Sequence, residues 1–363
     1  MKVIASCIEG LEDITILEIK EILKVKSSKI IPSRVLFDVK TDKDLANFIY
    51  KTRSSTYVYS LLDNFSFKDK DIILDHIKNI KFKLKDSFVV RCNRIGNHNF
   101  NSNDIERETG AIINENTKVK VDLHNAFTTI MIDIVNDTCF IGIDYTGFKL
   151  SKREYKIKNI PNNLNSCLAY CLVRSANYSS KDFLLDPFSR SCEIPIEAAL
   201  FALDIPNGTR LKDKFFFNNF IKFNFKDKIK KLKLNILAID AQQNSLRAGE
   251  INAKLAGINK SIKFSRLEIE WLDTKLEKDS VDKVITYPLY PTSTLPLSIV
   301  EKLYKELFYN LEFILKKSGL IVVLTPVPDL IEKHSIQNKF KTISNIKIKY
   351  QNQDFHILTI KKI

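Results

Sequence analysis

The spacing of hydrophobic positions changes repeatedly along residues 1–150, which predicts a mixed region of strands and helices. Short runs in which apolar and polar residues alternate, as in half-buried strands, lie at 3–7, 34–39, 88–92 and 128–135. Between them, apolar residues recur at helical spacing at 11–25 and from Thr41 to Tyr50, where Thr41 stands in a capping position. The pattern favours an α+β region.

A second pattern, in residues 183–203, predicts a strand that runs through a tight turn into a helix. A short apolar run ends at Asp186, and residues 194–203 carry apolar side chains at helical spacing. The loop between them should lie at the carboxyl edge of a parallel sheet, where open α/β folds bind nucleotide-like ligands. Such a loop usually contains glycines, because the backbone approaches the ligand closely, and this one has none.

Further patterns extend this α/β region to the end of the chain. Strands are predicted at 235–240, 262–269, 284–286 and 320–325 and as a final pair within 346–360. One helix is predicted to end at Gly257, since glycine is a common C-cap, and another to run from Leu297 to Lys317.

Length and composition are typical of a globular protein with two or three domains. The chain has 363 residues, 44% of them hydrophobic, and no apolar run approaches the length that spans a membrane. The N-terminus has acidic residues and helical periodicity, unlike a signal peptide, so we expect a cytoplasmic protein with no membrane partner. Its six cysteines and five histidines show no zinc-site spacing, and we expect no metal.

The net charge of +14 lies almost entirely in the second half of the chain. Residues 1–150 carry 22 Lys and Arg against 21 Asp and Glu, whereas residues 151–363 carry 35 against 22. This balance favours a polyanion such as RNA, although it also raises solubility. Residues 210–234 interleave six phenylalanines with nine basic residues, which suits single-stranded RNA, but we expect these rings to pack onto the domain.

Two stretches resemble a known RNA-binding module. They read FVVRCNRIGNHNFNSNDIERETGAII from Phe88 and VKVDLHNAFTTIMIDIVNDTCFIGIDYTGFKLSKREY from Val119, and both are similar to the THUMP domain. The opening ASCIEGLEDITILEIKEI resembles the ferredoxin-like domain that precedes THUMP in the same family. For this opening, any other small α+β module remains an alternative.

The turn after Asp186 resembles a cofactor motif of that family. The run LLDPFSRSCEIPIEAA is similar to the DPFCGSGT motif of THUMP-containing RNA methyltransferases, which include archaeal tRNA guanine-N2 methyltransferases that use S-adenosylmethionine. Asp186, the two residues after it and Ser191 match, whereas Arg190 and Cys192 stand at the two glycine positions. We expect both side chains to hinder the methionine end of the cofactor.

The resemblance covers essentially the whole chain and implies its domain organisation and an α/β fold class. It implies an N-terminal ferredoxin-like domain at 1–64 and a THUMP domain at 65–148, which together form an α+β region. A linker that covers the cofactor follows at 149–181. Residues 182–363 are then expected to form a Rossmann-like class I methyltransferase domain with a seven-stranded, mostly parallel sheet.

The resemblance also implies six cofactor-binding residues. Asp240 ends a predicted strand where the family binds the two ribose hydroxyls, and Glu270 takes the place of an aspartate that contacts the adenine amino group. Asn165 would line the pocket, although it equally suits a helix cap. The full set is Asn165, Asp186, Phe188, Ser191, Asp240 and Glu270.

The segment VDKVITYPLYPTSTL carries the catalytic position implied by the resemblance. Tyr287, Pro288, Leu289 and Tyr290 occupy the place of the family's N/D-P-P-Y/F motif, whose first residue orients the amino group that is methylated. Tyr287 cannot copy a carboxamide or carboxylate, and Leu289 replaces a proline that helps to hold the backbone carbonyl. Tyr290 keeps an aromatic ring that suits stacking on a base.

The THUMP resemblance implies RNA contacts by basic residues within and just after that domain. Guanidinium and ammonium groups bind phosphate and fix position without reading sequence. Without the motif, a solvated charged face would be the better interpretation. The implied set is Arg91, Arg94, His98, Lys149, Lys152, Arg153, Lys156 and Lys158.

Together these features predict a tRNA-binding protein of the guanine-N2 methyltransferase family whose catalysis is impaired or lost. The bulky loop residues and Tyr287 are two independent departures from the family pattern. If S-adenosylmethionine binds, we expect it to bind weakly. The alternatives are an active S-adenosylmethionine-dependent methyltransferase with divergent motifs, and a non-catalytic subunit that presents tRNA or another structured RNA to an active partner.

Overall fold

The computed structural model describes residues 1–351 and 353–363, which form two compact units. Unit 1 comprises Met1–Cys7, Thr15–Leu150 and Leu211–Phe225, and unit 2 comprises Ile8–Ile14, Ser151–Arg210 and Lys226–Ile363. The chain therefore returns to unit 1 for a short segment after unit 2 has begun. Each unit has its own sheet.

Unit 1 contains eight strands in one sheet. They are β1 Lys2–Ser6, β2 Ser27–Ile31, β3 Arg34–Asp38, β4 Tyr57–Ser66, β5 Ser87–Ile95, β6 Lys120–Val121, β7 Thr128–Val135 and β8 Thr138–Asp144. Their order across the sheet is β2-β3-β1-β4-β8-β7-β5-β6. Most neighbours are antiparallel, whereas β5 runs parallel to both β6 and β7.

Four helices belong to the first 150 residues. They are α1 Glu12–Leu23, α2 Asp42–Lys51, α3 Lys70–Asn79 and α4 Ser102–Thr117. The predicted start of α2 is confirmed, because the Thr41 side chain accepts a hydrogen bond from the Asp44 N–H and the Asp44 carboxylate accepts one from the Thr41 N–H.

Residues 211–225 place four of their six phenylalanines, Phe215, Phe217, Phe223 and Phe225, in or against a core of unit 1. The rings of Phe215 and Phe217 are buried and stack with centroids 5.0 Å apart, and the Phe225 ring lies 4.8 Å from that of Tyr50 on α2. These rings are therefore packed and not presented to nucleic-acid bases. We expected them to pack on the methyltransferase domain, and this detail is wrong, because their partners lie in unit 1.

Unit 2 is built on a seven-stranded sheet. Its strands are β9 Phe183–Asp186, β10 Asn235–Asp240, β11 Lys263–Arg266, β12 Val281–Thr286, β13 Leu315–Thr325, β14 Phe340–Tyr350 and β15 Gln353–Lys362. Their order is β11-β10-β9-β12-β13-β15-β14. The first five in this order are parallel, and β15 and β14 are antiparallel additions. This is the Rossmann-like, mostly parallel sheet that the sequence predicts.

Six helices accompany this sheet. They are α5 Ser166–Ser175, α6 Glu193–Ala202, α7 Gln243–Ala256, α8 Leu272–Lys275, α9 Leu297–Ile314 and α10 Pro328–Gln337. The predicted C-cap at Gly257 is confirmed by its left-handed φ of 77°. The predicted end of the helix at Lys317 is wrong, because Leu315 already begins β13 and pairs with Val281.

The strand order of unit 2 reverses at β9, which has β10 on one side and β12 on the other. In open α/β sheets, ligands bind outside the carboxyl ends of the strands at such a reversal. The loops that follow Asp186, Asp240 and Thr286 therefore define the candidate site.

Candidate functional site

A cavity of about 450 Å³ opens at the carboxyl ends of β9, β10 and β11. Pockets for small ligands have about this size, roughly 300–1,000 Å³. Its wall includes Asn162, Phe188, Arg190, Asp240, Leu267, Glu268, Ile269 and Leu289. Most of them follow directly after a strand, so the sheet topology brings them together.

The loop after β9 keeps the shape of a glycine turn without containing glycine. Arg190 and Cys192 have φ values of 47° and 63°, in the left-handed region that glycine adopts most easily. Two backbone hydrogen bonds brace the turn, from the Ser189 N–H to the Ile239 carbonyl at 2.8 Å and from the Cys192 N–H to the Ser189 carbonyl at 2.6 Å. The backbone of this turn is therefore strained but well supported.

Arg190 connects three parts of the site. Its backbone N–H donates to Oδ2 of Asp240 at 2.9 Å. Its side chain turns back over the site, where Nη1 donates to the Asn162 carbonyl at 2.6 Å and the guanidinium lies 4.4 Å from the centre of the Tyr287 ring. A carbonyl acceptor and an aromatic face are both favourable partners for a guanidinium, so this side chain is held in place.

Cys192, the second replacement of a glycine, faces away from the cavity. An added Cβ on Gly249 of α7 would lie only 2.2 Å from the Cys192 Sγ, so the thiol fills the space that this glycine leaves. Our expectation that the Cys192 side chain hinders the cofactor is corrected: the side chain packs between the loop and α7, and only Arg190 reaches the cavity wall.

Asp186, at the end of β9, is 1% exposed. The Thr286 hydroxyl donates to Oδ1 at 2.8 Å, and the Phe188 N–H donates to the same oxygen at 3.2 Å. Burial raises the pKa of Asp186 to about 7, because these hydrogen bonds only partly offset the loss of water around the carboxylate.

The space between Asp186 and the Arg190 side chain is almost closed. It amounts to about 10 Å³, and its wall also includes Glu193 and Tyr287. A cavity needs roughly 10–15 Å³ to hold a single water molecule. The site thus has an open side at Asp240 and a closed side at Asp186.

Asp240 is half-buried and has a fixed orientation. Oδ2 accepts the Arg190 N–H, and Oδ1 accepts the Gln242 N–H, each at 2.9 Å. A carboxylate oxygen has two lone pairs, so each oxygen retains the capacity to accept one further hydrogen bond. The geometry presents two preoriented acceptors at the rim of the open side.

Two other residues of the expected cofactor set, Asn165 and Ser191, use their side chains for hydrogen bonds within unit 2. Asn165 caps α5, with its side-chain oxygen accepting the Cys167 and Leu168 N–H groups, as our alternative interpretation held. The buried Ser191 hydroxyl donates to Glu193 at 2.7 Å.

Glu270 lies in a short 3₁₀ turn, half-exposed and paired with Lys302 at 3.0 Å, outside the cavity wall. The contact of Glu270 with adenine stays a prediction, and the wall of the cavity does not include this residue. Glu268, two residues earlier, lines the cavity, and sequence reasoning missed it.

The four residues at the expected catalytic position follow β12 directly, and they range from buried to exposed, since Leu289 is 42% exposed. Tyr287 is 4% exposed, and burial and a contact with the Tyr290 hydroxyl raise its pKa, so the phenol stays neutral. Pro288 is buried as well. The Leu289 carbonyl accepts a hydrogen bond from the Tyr304 hydroxyl at 2.6 Å, so this part of the backbone is held by α9 although Leu289 replaces the proline of the family motif.

Four of the expected RNA contacts lie on unit 1, three of them, Arg91, Arg94 and His98, on or just after β5. Arg91 on β5 is exposed, donates to the Leu123 carbonyl at 3.0 Å, and lines a cavity of about 400 Å³. Arg94 donates to Nδ1 of His98 at 3.0 Å, and Nε2 of His98 lies 2.7 Å from the Asn136 carbonyl. A carbonyl can only accept, so this histidine donates through Nε2 and is already engaged within the unit.

The unit 1 cavity includes residues that sequence reasoning did not single out. Tyr57, Asn93, His124 and Phe148 share its wall with Arg91. They come from separate strands and loops, and no spacing in the sequence links them.

Arg153 is not a surface residue. It is 5% exposed, and its Nε donates to Oε1 of the buried Glu197 at 2.9 Å, an oxygen that also accepts the Tyr155 hydroxyl at 2.8 Å. The prediction that Arg153 contacts RNA is corrected, because removing a buried cation from its carboxylate is strongly unfavourable.

The four remaining lysines of the expected RNA set divide by exposure. The Lys156 side chain is only 12% exposed, and its ammonium lies 3.1 Å from Glu193, so it too is held within unit 2. Lys149 of unit 1 and Lys152 and Lys158 of unit 2 are exposed. These three, with Arg91, are the cations of the set whose charges face solvent.

Residues 1–351 and 353–363 contain neither a metal-binding cluster nor a membrane-spanning helix. Within these ranges, no group of three or more His, Cys, Asp or Glu side chains is arranged to hold a metal ion. The helices described there are all too short or too polar to cross a membrane.

Comparisons with known proteins agree with this architecture. The UPF0020 family, described as an RMKL-like methyltransferase domain, matches residues 153–354, and the THUMP domain family matches residues 70–144. The tRNA (guanine(6)-N2)-methyltransferase of Methanocaldococcus jannaschii is 30% identical over 283 residues, which cover 74% of this chain and 74% of that protein. The enzyme of the same name from Archaeoglobus fulgidus is 26% identical over 332 residues, covering 88% and 82%.

A solved structure shows the shared fold. The crystal structure of TrmN from Thermus thermophilus has a TM-score of 0.76 and 19% identity, covering 100% of this chain and 99% of that one. The THUMP match lies within unit 1, and the UPF0020 match spans over half of the chain. This chain therefore belongs to the family of THUMP-containing RNA methyltransferases.

Proposed function

We propose that this chain is a tRNA-binding protein of the guanine-N2 methyltransferase family in which methyl transfer is impaired or lost. One observation carries the proposal. The Arg190 side chain spans from the Asn162 carbonyl to the Tyr287 ring and closes the space beside Asp186 to about 10 Å³. That space is where the family motif leads us to expect the methionine end of the cofactor.

S-adenosylmethionine, the cofactor of the family, fits the two sides of the site unequally. The open side has the volume and the paired acceptors of Asp240 that suit a nucleoside. The closed side has room for about one water molecule, far less than an aminocarboxypropyl chain occupies. The site does not fit the complete cofactor, so we expect that binding is weak or absent.

The surroundings of Tyr287 support the same proposal. Orienting an exocyclic amine for methylation requires a hydrogen-bond acceptor, and removing one positioned group of this kind typically costs on the order of 100- to 1,000-fold in rate. Tyr287 offers a buried, neutral phenol whose ring is covered by Arg190. Its phenol oxygen can accept a hydrogen bond, but it lies buried beside the Tyr290 hydroxyl, so Tyr287 offers a guanine neither an accessible acceptor nor an open ring face.

RNA binding is supported by the THUMP match and by exposed cations. Arg91 and Lys149 of unit 1, and Lys152 and Lys158 of unit 2, face solvent. Two relatives are named as tRNA methyltransferases, which makes tRNA the RNA class we propose. Contacts of this kind neutralise phosphates, so affinity should fall as salt rises.

A binding assay tests the RNA part of the proposal. We expect a folded tRNA or acceptor-stem mimic to bind more tightly than a single strand of equal length. Reversing the charge at both Lys152 and Lys158 should weaken binding at least about tenfold and reduce the salt slope by about two. Reversal at the exposed Lys181 serves as the control. Equal affinity for the two RNAs, or equal effects of all reversals, would argue against this assignment.

A methyl-transfer assay tests the loss of catalysis. Purified chain, unmodified tRNA and labelled S-adenosylmethionine at high concentration are combined, with the Methanocaldococcus jannaschii relative as the positive control. We expect no incorporation of methyl groups by this chain. Stoichiometric formation of N2-methylguanosine, abolished by Asp186→Ala, would show instead that the chain is an active methyltransferase with divergent motifs.

A further inference from the structure

A second cavity of unit 2, with a volume of about 300 Å³, is separate from the site described above. It lies where α6 and α7 end, whereas the cavity at Asp240 lies near the loops that precede these helices, and the two cavities share no residue. We propose that the second cavity binds a small organic anion, with an aliphatic body inside the cavity and a carboxylate at Arg210. This inference does not depend on the proposed function.

The first argument is the aliphatic wall of the cavity. Leu200 and Ala256 come from the last turns of α6 and α7, and Ile205, Pro206 and Ile229 extend the apolar surface. The volume is at the lower end of the range for small-ligand pockets, roughly 300–1,000 Å³. The cavity therefore suits the hydrocarbon part of a small molecule.

Backbone hydrogen bonds hold this wall in place. The Ile205 N–H donates to the Leu200 carbonyl at 3.0 Å, which fixes the turn after α6. The Lys230 N–H donates to the Leu203 carbonyl at 2.8 Å and thereby fastens the segment that carries Ile229. The cavity is thus already formed without a ligand, and little ordering is needed for binding.

The second argument is the guanidinium of Arg210, an exposed residue of the wall. Its Nη2 lies 3.3 Å from the point that a Cβ on Gly257 would occupy, at the C-terminal end of α7. Within the residues that the structure describes, this guanidinium forms no ion pair or hydrogen bond, whereas Glu154, the acidic residue of the wall, already has another interaction partner. A planar guanidinium matches the two oxygens of a carboxylate.

The third argument is the charge of the segment that contributes Ile229. Residues 226–233 contain five lysines, all exposed, and one acidic residue. Two of these lysines, Lys228 and Lys230, flank Ile229 in the sequence. The surroundings of the cavity therefore attract an anion and repel a cation, and salt should weaken this preference.

The wall argues against a nucleic-acid base as the occupant. Its aromatic residue, Tyr155, is 5% exposed, and its hydroxyl donates to Glu197 at 2.8 Å. Sequence-tolerant binding of single-stranded RNA relies on open aromatic rings on which bases stack. An aliphatic ligand makes better use of this wall than a base does.

The test compares three probes of equal chain length on the full-length chain by isothermal titration calorimetry. We expect octanoate to bind, and octan-1-ol to bind about tenfold more weakly because it lacks the charge-assisted hydrogen bonds. Octylammonium should bind at least about tenfold more weakly than octanoate, because its charge has the same sign as Arg210. The series requires no mutation, so it does not depend on the folding of a variant.

Two matched pairs of variants locate the site. Arg210→Gln should weaken octanoate about tenfold and leave octan-1-ol unchanged, whereas Arg247→Gln, at an exposed arginine of α7 outside the wall, should change neither more than about twofold. Ile229→Trp should fill the cavity and weaken both probes at least about tenfold. Its control is Leu232→Trp, because Leu232 is similarly exposed, at 43% against 49%, and does not line the cavity. Thermal melting shows whether each variant is folded.

Each contrary result refutes a stated part of the inference. If octanoate does not bind, or if octylammonium binds as tightly, the anion site is wrong. If Arg210→Gln and Arg247→Gln weaken octanoate equally, net charge and not Arg210 controls binding. If Ile229→Trp leaves binding unchanged, octanoate binds elsewhere on the chain. All of these measurements are made without S-adenosylmethionine or RNA, so their failure leaves the proposed function untouched.

Discussion

The two sides of the site in unit 2 differ although each is marked by a carboxylate at the end of a strand. At Asp240 a cavity of about 450 Å³ remains, whereas at Asp186 about 10 Å³ remains. The backbone of Arg190 orders the open side and its side chain fills the closed side. The difference shows that one residue can order one side of a site through its backbone while its side chain occupies the other side.

The largest effect is expected for Arg190→Gly. Removing the side chain reopens the space beside Asp186, and we expect the affinity for S-adenosylhomocysteine to rise about 100-fold, or about 2.7 kcal/mol. Stability should change little, because glycine relieves the strain at a φ of 47° while a cation–π contact of similar energy is lost. Calorimetric titration measures the gain.

Arg266→Ala is the matched control for this change. The Arg266 side chain also donates to one backbone carbonyl, that of Ala241, at 3.1 Å, but it does not line the cavity. We expect no gain of affinity in this variant. The same gain in both variants would mean that net charge, and not the closure by Arg190, controls binding.

Because the Asp186 carboxyl on the closed side is buried, we expect an unusual pH dependence of the free energy of unfolding. The pKa of Asp186 is about 7 in the folded chain, against about 3.9 for an unfolded aspartate, so the unfolded state loses its proton first as pH rises. The free energy of unfolding should therefore decrease between about pH 4 and pH 7 through this group. Asp186→Asn keeps the oxygen that accepts from Thr286 and should be roughly 2 kcal/mol more stable than the wild type at pH 8.

Urea denaturation at pH 5 and pH 8 measures this effect, with Asp282→Asn as the control. Burial raises the pKa of Asp282, but the hydrogen bonds from Lys316 and the Phe183 N–H, together with the charges of Lys316 and Lys283, outweigh it and hold this pKa below the usual range. The Asp282 carboxylate therefore stabilises the fold above its unfolded pKa, and the control should lose stability at pH 8. A loss of stability in Asp186→Asn as well would contradict a buried, unpaired carboxylate on the closed side.

A smaller effect, on the free energy of unfolding, is expected where the Cys192 thiol packs against α7, away from the cavity. Gly249→Ala should lower the free energy of unfolding by about 1.5 kcal/mol, because the new methyl group meets the Cys192 thiol and overpacking outweighs the gain in helix propensity. Adding Cys192→Gly to the Gly249→Ala variant should restore most of the lost free energy of unfolding. Gly110→Ala on α4, where the nearest atom lies 4.0 Å away, should be neutral or stabilising. Chemical denaturation of the wild type, Gly249→Ala, the double variant and Gly110→Ala measures these differences in the free energy of unfolding.

The smallest effect concerns the ring beneath Arg190. Tyr287→Leu removes the aromatic face and should raise the affinity for S-adenosylhomocysteine about fivefold, as expected from a lost cation–π contact of about 1 kcal/mol. Tyr287→Phe keeps the face and should change the affinity less than twofold. If both variants gain affinity equally, the Tyr287 hydroxyl, and not its ring, holds the Arg190 side chain in the space beside Asp186.

Much of this site could be predicted because its elements are local in sequence. The strand that ends at Asp186, the helix after it and the strand that ends at Asp240 each follow from hydrophobic spacing within a few residues. The resemblance to the family then placed these elements in one sheet. The positions of the two missing glycines were visible in the same way.

The directions of the side chains could not be predicted, because they depend on partners far along the chain. Arg153 is buried by Glu197, which lies 44 positions later, and the thiol of Cys192 is accommodated by Gly249 on another helix. Glu268 lines the cavity and Glu270 does not, because a 3₁₀ turn, and not a continued strand, follows β11. Spacing alone contains none of this information.

A crystal structure of the chain grown with S-adenosylmethionine at high concentration tests the closure most directly. We expect the guanidinium of Arg190 to remain over the Tyr287 ring and the space beside Asp186 to contain no more than a water molecule. An aminocarboxypropyl chain bound between Asp186 and Glu193, with Arg190 displaced, would contradict the account and restore the interpretation of this chain as a methyltransferase.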